Sequence, residues 1–285
     1  MRRVGLVLVL LLVCPAVYAQ RSYDYYESED ASFELSLGVG AESLQYEEEA
    51  PDFNGIPGNP MDTQARVTNI MLDARGEVDW NQWFIGTKWM IPVNEGDDTE
   101  EVDVSGARYQ TNDLEYSWLR GDGYIGYSFQ DILLADAVEP YVGIRGSWAD
   151  QERANFVVLG APTAGTATEE IDSYGVLAGV RIAKAVLEGK LAFGLDLEGV
   201  FPFNVEVTNS DIPGWEADEE DGYTYQATLS SDYEFAQNWS FGIKAYYGVM
   251  HWDGSGWIPF SGGFAKWPEN ETEFIGGNVS LSYEF

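Results

Sequence analysis

Cationic side chains, cysteine and histidine are all scarce in this 285-residue chain. Fifteen lysines and arginines stand against 48 aspartates and glutamates, a formal charge of −33. A nucleic-acid binder needs a cationic surface, and a chain this acidic would repel phosphate. The one cysteine, Cys14, and the one histidine, His251, exclude a disulfide framework and a Cys/His metal cluster within one chain. Apolar runs of about 20 residues, which a helical span requires, are missing too. The one candidate lies at the very start and is too short. Aromatic residues, by contrast, make up 14% of the chain, which argues against a disordered acidic polymer.

Arg2 and Arg3 precede an apolar stretch from Val4 to Val13, and Val17-Tyr18-Ala19 places small residues at −3 and −1 of a cleavage site before Gln20. Residues 1–19 therefore read as a cleaved secretory signal peptide. Leu11-Leu12-Val13-Cys14 faintly resembles a lipobox, but Val13 stands where Gly, Ala or Ser is expected. Residues 20–30, acidic and Tyr-rich, read as a periplasmic N-terminal stretch, and residues 31–285 as one β domain.

Within that domain the recurring pattern has period two, the signature of half-buried strands. It spans residues 33–41, 70–80, 83–93, 119–129, 140–148, 174–182, 191–204, 223–235, 239–249 and 275–285. In the 191–204 segment, Leu191, Phe193, Leu195, Leu197, Phe201 and Phe203 alternate with Ala192, Gly194, Asp196, Glu198 and Asn204. In the 119–129 segment the parity conflicts, because Tyr116, Trp118 and Tyr124 fall opposite to Leu119, Ile125 and Tyr127. The face opposite the apolar one is rich in Gly, Ser and Thr, which suits a cramped barrel lumen better than a sandwich surface. Trp80, Trp83, Phe129, Phe235, Trp239, Tyr283 and Phe285 border the short connections or the chain end, as aromatic girdles do at membrane interfaces. Segments average about ten residues, enough for a tilted strand to cross a bilayer. Long connections (47–63, 94–113, 150–171, 208–221, 252–273) alternate with short ones, the arrangement of long outer loops and short periplasmic turns. The expected fold is all-β: an antiparallel transmembrane β-barrel of ten strands, with eight or twelve as alternatives. The ending Val279-Ser280-Leu281-Ser282-Tyr283-Glu284-Phe285 resembles the assembly signal of Gram-negative outer-membrane proteins. That resemblance implies outer-membrane residence, lipid and lipopolysaccharide as surroundings, and recognition by the barrel assembly machinery through the strand ending in Phe285.

Parity places Glu34, Asp73, Glu77, Asp79, Asp122, Asp196, Glu198, Asp232, Glu234 and Glu284 inside, with Arg75, Lys88, Arg120, Arg145, Arg181 and Lys244. Buried charges are costly unless paired, so these residues are expected to form a salt-bridge network filling the lumen. A narrow charge-lined pore for ions or small solutes is the alternative. The excess acid falls in the connections, as Glu47-Glu48-Glu49, Asp97 to Asp103 and Glu216 to Asp221. Divalent cations are possible partners there, but no fixed-spacing calcium loop is present and a solvated acidic face is preferred. Gly254-Ser255-Gly256 and Gly262-Gly263 read as flexible loops and not as a phosphate cradle. No cofactor is implied.

Ten strands with five outer loops resemble the omptin proteases, in which acidic residues at the barrel rim and a His activate water. Asp113-Leu114-Glu115-Tyr116-Ser117-Trp118 is similar to the family's acid-Tyr-acid-Trp run, with Glu115 replacing one Asp and Ser117 removing the other. The fourth outer loop, Trp215 to Tyr223, carries acids but no His, so the general base is missing. His251 lies at the top of the ninth segment near Asp253, Ser255 and Ser261, a spacing that barrel lipid hydrolases could use. Its parity aims it at the lipid or interface side instead. The chain is expected to be a non-catalytic barrel with a structural or surface-interaction role, a pore or an omptin-like or lipid-modifying hydrolase being the alternatives.

Overall fold

The computed structural model describes residues 31–285 apart from 53–54, 133, 213, 220 and 261, so the expected signal peptide and the 20–30 stretch lie outside the described residues. Ten long antiparallel strands close into a barrel. They are β1 (Ser32–Ala50), β2 (Met61–Trp80), β3 (Trp83–Pro92, resumed as Gly96–Val104), β4 (Ala107–Tyr127), β5 (Ala137–Val158), β6 (Thr166–Val186), β7 (Leu191–Asn209), β8 (Gly222–Ala236), β9 (Trp239–Trp252) and β10 (Glu269–Glu284). Each strand pairs with the next, and β10 returns to β1, with Val39 opposite Val279. A closed barrel has no unpaired edge, the condition for crossing a membrane with strands. The tightest turns are made by Asn81 (φ 56°) and Asn238 (φ 64°), residues that tolerate the left-handed region.

The strands run well past the expected ten residues, up to 22 in β5. The connections expected at 94–113 and 150–171 are largely strand: β3 reaches Val104 and turns through Ser105-Gly106 into β4, while β5 extends to Val158 and β6 starts at Thr166. The break in β3 falls at Pro92, which cannot donate to the ladder. Two asparagines patch it: Ile70 N–H donates to Asn94 Oδ1 and Gly96 N–H to Asn69 Oδ1, both at 2.6 Å.

The outer wall changes character along the barrel axis. Toward the short turns it is apolar, with Leu37, Val39, Ile85, Ile144, Leu229 and Ile243 exposed. Toward the long loops it becomes polar: Ala41 gives way to Ser43, Gln45 and Glu47 on β1, Ile70 to Thr68 and Arg66 on β2, and Ile275 to Glu273 and Glu271 on β10. Register sets these changes at one level, since Ala41 faces Ile70 and Ser43 faces Ile275. The result is an apolar belt capped by a charged wall. The interior does the reverse. Below the boundary it is charged, and above it Leu44, Val67, Leu114, Tyr116, Trp118, Val205 and Met250 are almost completely buried.

Candidate functional site in the barrel interior

Strand alternation delivers one side chain in two to the lumen, and the strand-by-strand register stacks them into levels. The charged level is built first from Asp122 on β4 and Arg145 on β5, direct cross-strand partners. Arg145 Nε and Nη2 hold the two Asp122 oxygens at 2.6 and 2.7 Å, and Nη2 also reaches Glu198 Oε1 at 2.6 Å. This is the bidentate geometry that favours arginine over lysine. Lys88 bridges the same acids, 2.8 Å from Glu198 and 3.3 Å from Asp122. Arg181 lies 2.8 Å from Glu77 and 3.8 Å from Asp196, and Arg75 lies 2.8 Å from Glu77. Lys244 Nζ and Asn278 Nδ2 both donate to Asp73 Oδ2, at 3.1 and 2.8 Å.

Rings complete this level. Arg181 sits over Phe84, Tyr124 and Tyr141, with its guanidinium carbon 4.8 to 5.1 Å from their centroids. Tyr124 donates to Glu77 (2.9 Å) and Tyr141 to Asp196 (2.7 Å). These rings lie flat because the residues opposite them are glycines. Phe84 faces Gly126, and Tyr141 faces Gly126 on β4 and Gly179 on β6. A Cβ at Gly126 would fall 2.1 Å from the Phe84 ring, and one at Gly179 would fall 2.4 Å from the Tyr141 ring. Glycine on the inward face is therefore a seat for an aromatic side chain.

Arg120 marks the upper limit of the charges. It pairs with Glu42, a buried acid that parity reasoning did not include, and stacks over Trp118 (4.0 Å) and Phe274 (5.0 Å). Above it the lumen is occupied by buried aromatic and aliphatic side chains. Trp118 and Phe274 meet edge to face at 5.1 Å, and Tyr46 meets Tyr116 at 5.8 Å. Two tryptophans enter from the long loops: Trp215 and Trp267 are both buried in this core, Trp267 against Trp252. Within it lies a second ion cluster. Arg153 Nε contacts both Glu100 oxygens at 2.9 and 3.0 Å and lies near Glu48 (3.7 Å), while Glu169 accepts from Trp267 Nε1 at 3.3 Å. Burial, with the Glu169 and Glu100 carboxylates adding to it and Arg153 opposing, pushes the Glu48 carboxyl up to about 7. Burial raises Glu169 as well. The sequence signal for this cluster was the continued parity of Glu42 and Glu48 on β1.

At the short-turn end the remaining acids sit apart from the belt. Glu34, Asp232, Glu234 and Glu284 line a cavity of about 440 Å³ with Ser36, Ser240 and Ser282. Asp79 faces Ser32 near the same end.

The residues compared with a hydrolase do not converge. Leu114, Tyr116 and Trp118 point into the core, while Asp113 and Glu115 are on the outer wall. His251 is also on the outer wall, stacked on Tyr223 at 5.0 Å, 2.9 Å from Asp253 Oδ1 and 3.7 Å from Glu269 and Glu271. It stands among carboxylates above the apolar belt. Ser255 accepts from Trp267 N–H (2.7 Å) and donates to the Gly256 carbonyl (3.0 Å), and Ser261 lies outside the described residues. Of the acidic connections, Glu216 and Asp218 join Glu206 in bringing carboxylate oxygens within 4.8 Å of one another, all three residues being exposed.

No protein-family model matches the sequence, and no curated protein matches it either. Among solved structures the chain is similar to the outer membrane protease OmpT from Escherichia coli, with 11% identity over 93% of this chain and all of that one and a TM-score of 0.67. It also aligns with the translocator domain of the autotransporter NalP from Neisseria meningitidis (12% identity, 100% and 94% coverage, TM-score 0.41). The fold is thus that of outer-membrane β-barrels, and at this identity the likeness concerns fold alone.

Proposed function

We propose that the chain is an outer-membrane barrel of a Gram-negative bacterium, sealed and non-catalytic, whose long-loop half projects an acidic wall for surface interactions. The packed core above the charge belt carries this reading: Trp118, Tyr116, Phe274 and Trp267 are less than 2% exposed. A lumen filled at that level by rings has no room for a solute path, and the paired charges beneath it act as a structural network. The apolar belt and its aromatic rim support embedding among outer-membrane lipid and lipopolysaccharide. The last strand, closing the barrel against β1, is the segment expected to be read by the barrel assembly machinery.

OmpT is named a protease, and at 11% identity its likeness to this chain speaks to fold alone. His251 and Asp253 stand on the outer wall, away from the acids of the Asp113 run. Protein refolded in detergent is expected to cleave neither basic peptides nor lipid A. Peptidase or lipase turnover that disappears in His251→Ala would contradict the non-catalytic reading.

A further inference from the structure

The ion cluster inside the long-loop core is out of balance. Arg153 stands among three buried acids, Glu48, Glu100 and Glu169. It holds Glu100 at 2.9 and 3.0 Å and lies 3.7 Å from Glu48, so its charge is matched by Glu100 and two carboxylates are in excess. Beside each excess acid lies a buried amide. Asn270 on β10 is the direct cross-strand partner of Glu48 on β1, and Gln151 on β5 is that of Glu169 on β6. Gln151 is 0% exposed and Asn270 1%, and neither the oxygen nor the nitrogen of either amide has a hydrogen-bond partner among the described residues. Buried polar groups are paired in nearly all folded proteins, so two such amides beside surplus acid mark a place for a further group. The two pairs belong to one cluster. Trp267 Nε1 donates to Glu169 while its ring lies against Trp252, the cross-strand partner of Asn270. Arg153 on β5 donates to Tyr46 Oη on β1 at 3.1 Å, so side chains from the two walls meet across the lumen at this level.

We propose that this cluster is a calcium site, with the ion held between Glu48 and Glu169 and the amide oxygens of Asn270 and Gln151 among its ligands. The charge selects the ion first: two surplus carboxylates match one divalent cation. The donors select it next. Carboxylate and amide oxygens are hard ligands, and the one histidine is on the outer wall, which disfavours zinc and the later transition metals. Magnesium keeps several of its waters, whereas calcium accepts an irregular shell of protein oxygens, as a site this deeply buried would supply. The exposed trio Glu206, Glu216 and Asp218 has no buried amide in this role and serves as the control. Protons are the competing cations. Burial raises both acids, Glu48 to about 7 with Glu169 and Glu100 adding to the effect and Arg153 and Tyr46 opposing it. Calcium therefore displaces protons and binds more tightly as pH rises.

The test is the thermal unfolding midpoint of the full chain, refolded in detergent with calcium chloride or with EGTA at roughly 0.15 M salt, where exposed charges are screened. A saturable rise with calcium is expected at pH 8 and a much smaller one at pH 5. Exposed acids are ionised at both values, so binding to the outer wall would give equal rises. The double variant Glu48→Gln/Glu169→Gln keeps the side-chain shapes and removes the surplus charge. It is expected to be no less stable than the wild type in EGTA at pH 8 and to bind calcium at least about tenfold more weakly. Asn270→Asp adds a carboxylate ligand, and is expected to lose stability in EGTA and regain it in calcium, which decides the matter if the double variant folds poorly. Asp218→Asn is expected to respond as the wild type does. No rise with calcium, equal rises at the two pH values, a rise retained in the double variant or one abolished by Asp218→Asn would overturn the proposal. An equal response to magnesium would overturn the choice of ion.

Discussion

Arg145 illustrates how the interior is held together at the level of single residues. It is 4% exposed, bidentate to Asp122 and bonded to Glu198. Truncating it leaves Asp122 and Glu198 to share the single cation Lys88, so Arg145→Ala is expected to cost up to about 3–5 kcal/mol of unfolding free energy. Arg108 also contacts two acids, Glu101 and Asp103, but on the exposed wall, where solvent screens the pair. Arg108→Ala is expected to leave the denaturation midpoint nearly unchanged, and urea titrations of the two variants in detergent check the contrast. Glu48 supplies a pH dependence. Its carboxyl titrates near 7 in the folded barrel and near 4.5 as the ordinary value, so the native state holds a proton that the unfolded chain releases. The stability this contributes is present below about pH 4.5 and is lost as pH rises through about 7. The melting temperature is therefore expected to be higher at pH 5 than at pH 8, and Glu48→Gln should flatten that slope. An unchanged slope in the variant would assign the effect to another group.

Among elements, the cross-strand pairing of ring and glycine makes a sharp prediction. Gly248 on β9 faces Phe274 on β10, and a Cβ there would lie 2.2 Å from the Phe274 ring and 2.5 Å from the Tyr225 carbonyl oxygen. Gly248→Ala overpacks this site and is expected to destabilise by about 1–3 kcal/mol. Gly256→Ala, whose Cβ would meet nothing within 4 Å, is expected to be neutral in the same thermal melts. The strands themselves were legible wherever their apolar face looked outward, which covers the belt and fixes the inward parity of Asp73, Asp122, Arg145 and Glu198. The upper halves were not. On β1 the apolar positions move from Leu37, Val39 and Ala41 to Leu44 and Tyr46, shifting from odd to even as the dry side of the wall moves from outside to inside. A period-two search reads that switch as the end of a strand and the start of a loop. The same switch explains part of the conflict on β4, where Leu119 looks out and Trp118 looks in; Tyr124 looks in below the switch, as one of the rings of the charge belt, while Ile125 looks out. On β7 a bulge between Pro202 and Asn204 shifts the register, so that Glu198 and Val205 both point inward. Trp215 and Trp267 could not be placed at all from sequence, because their positions in the core depend on how two loops fold back over the barrel.

At the scale of the whole molecule, the barrel consists of two stacked halves with opposite solvent logic. One turns apolar side chains outward and charges inward, as lipid demands, and the other turns charges outward and builds a core like that of a soluble protein. The boundary between them, near Ala41, Ile70 and Ile275, is where the outer wall leaves the membrane in the proposed orientation. A core that closes the lumen at this boundary is the central claim, and electrical recording in a planar bilayer tests it most directly. The account predicts that the purified, refolded protein inserts without stepwise conductance at moderate voltages. Reproducible single-channel steps from the wild-type protein would contradict it, because they require a continuous water path through the space that Trp118, Tyr116 and Phe274 occupy.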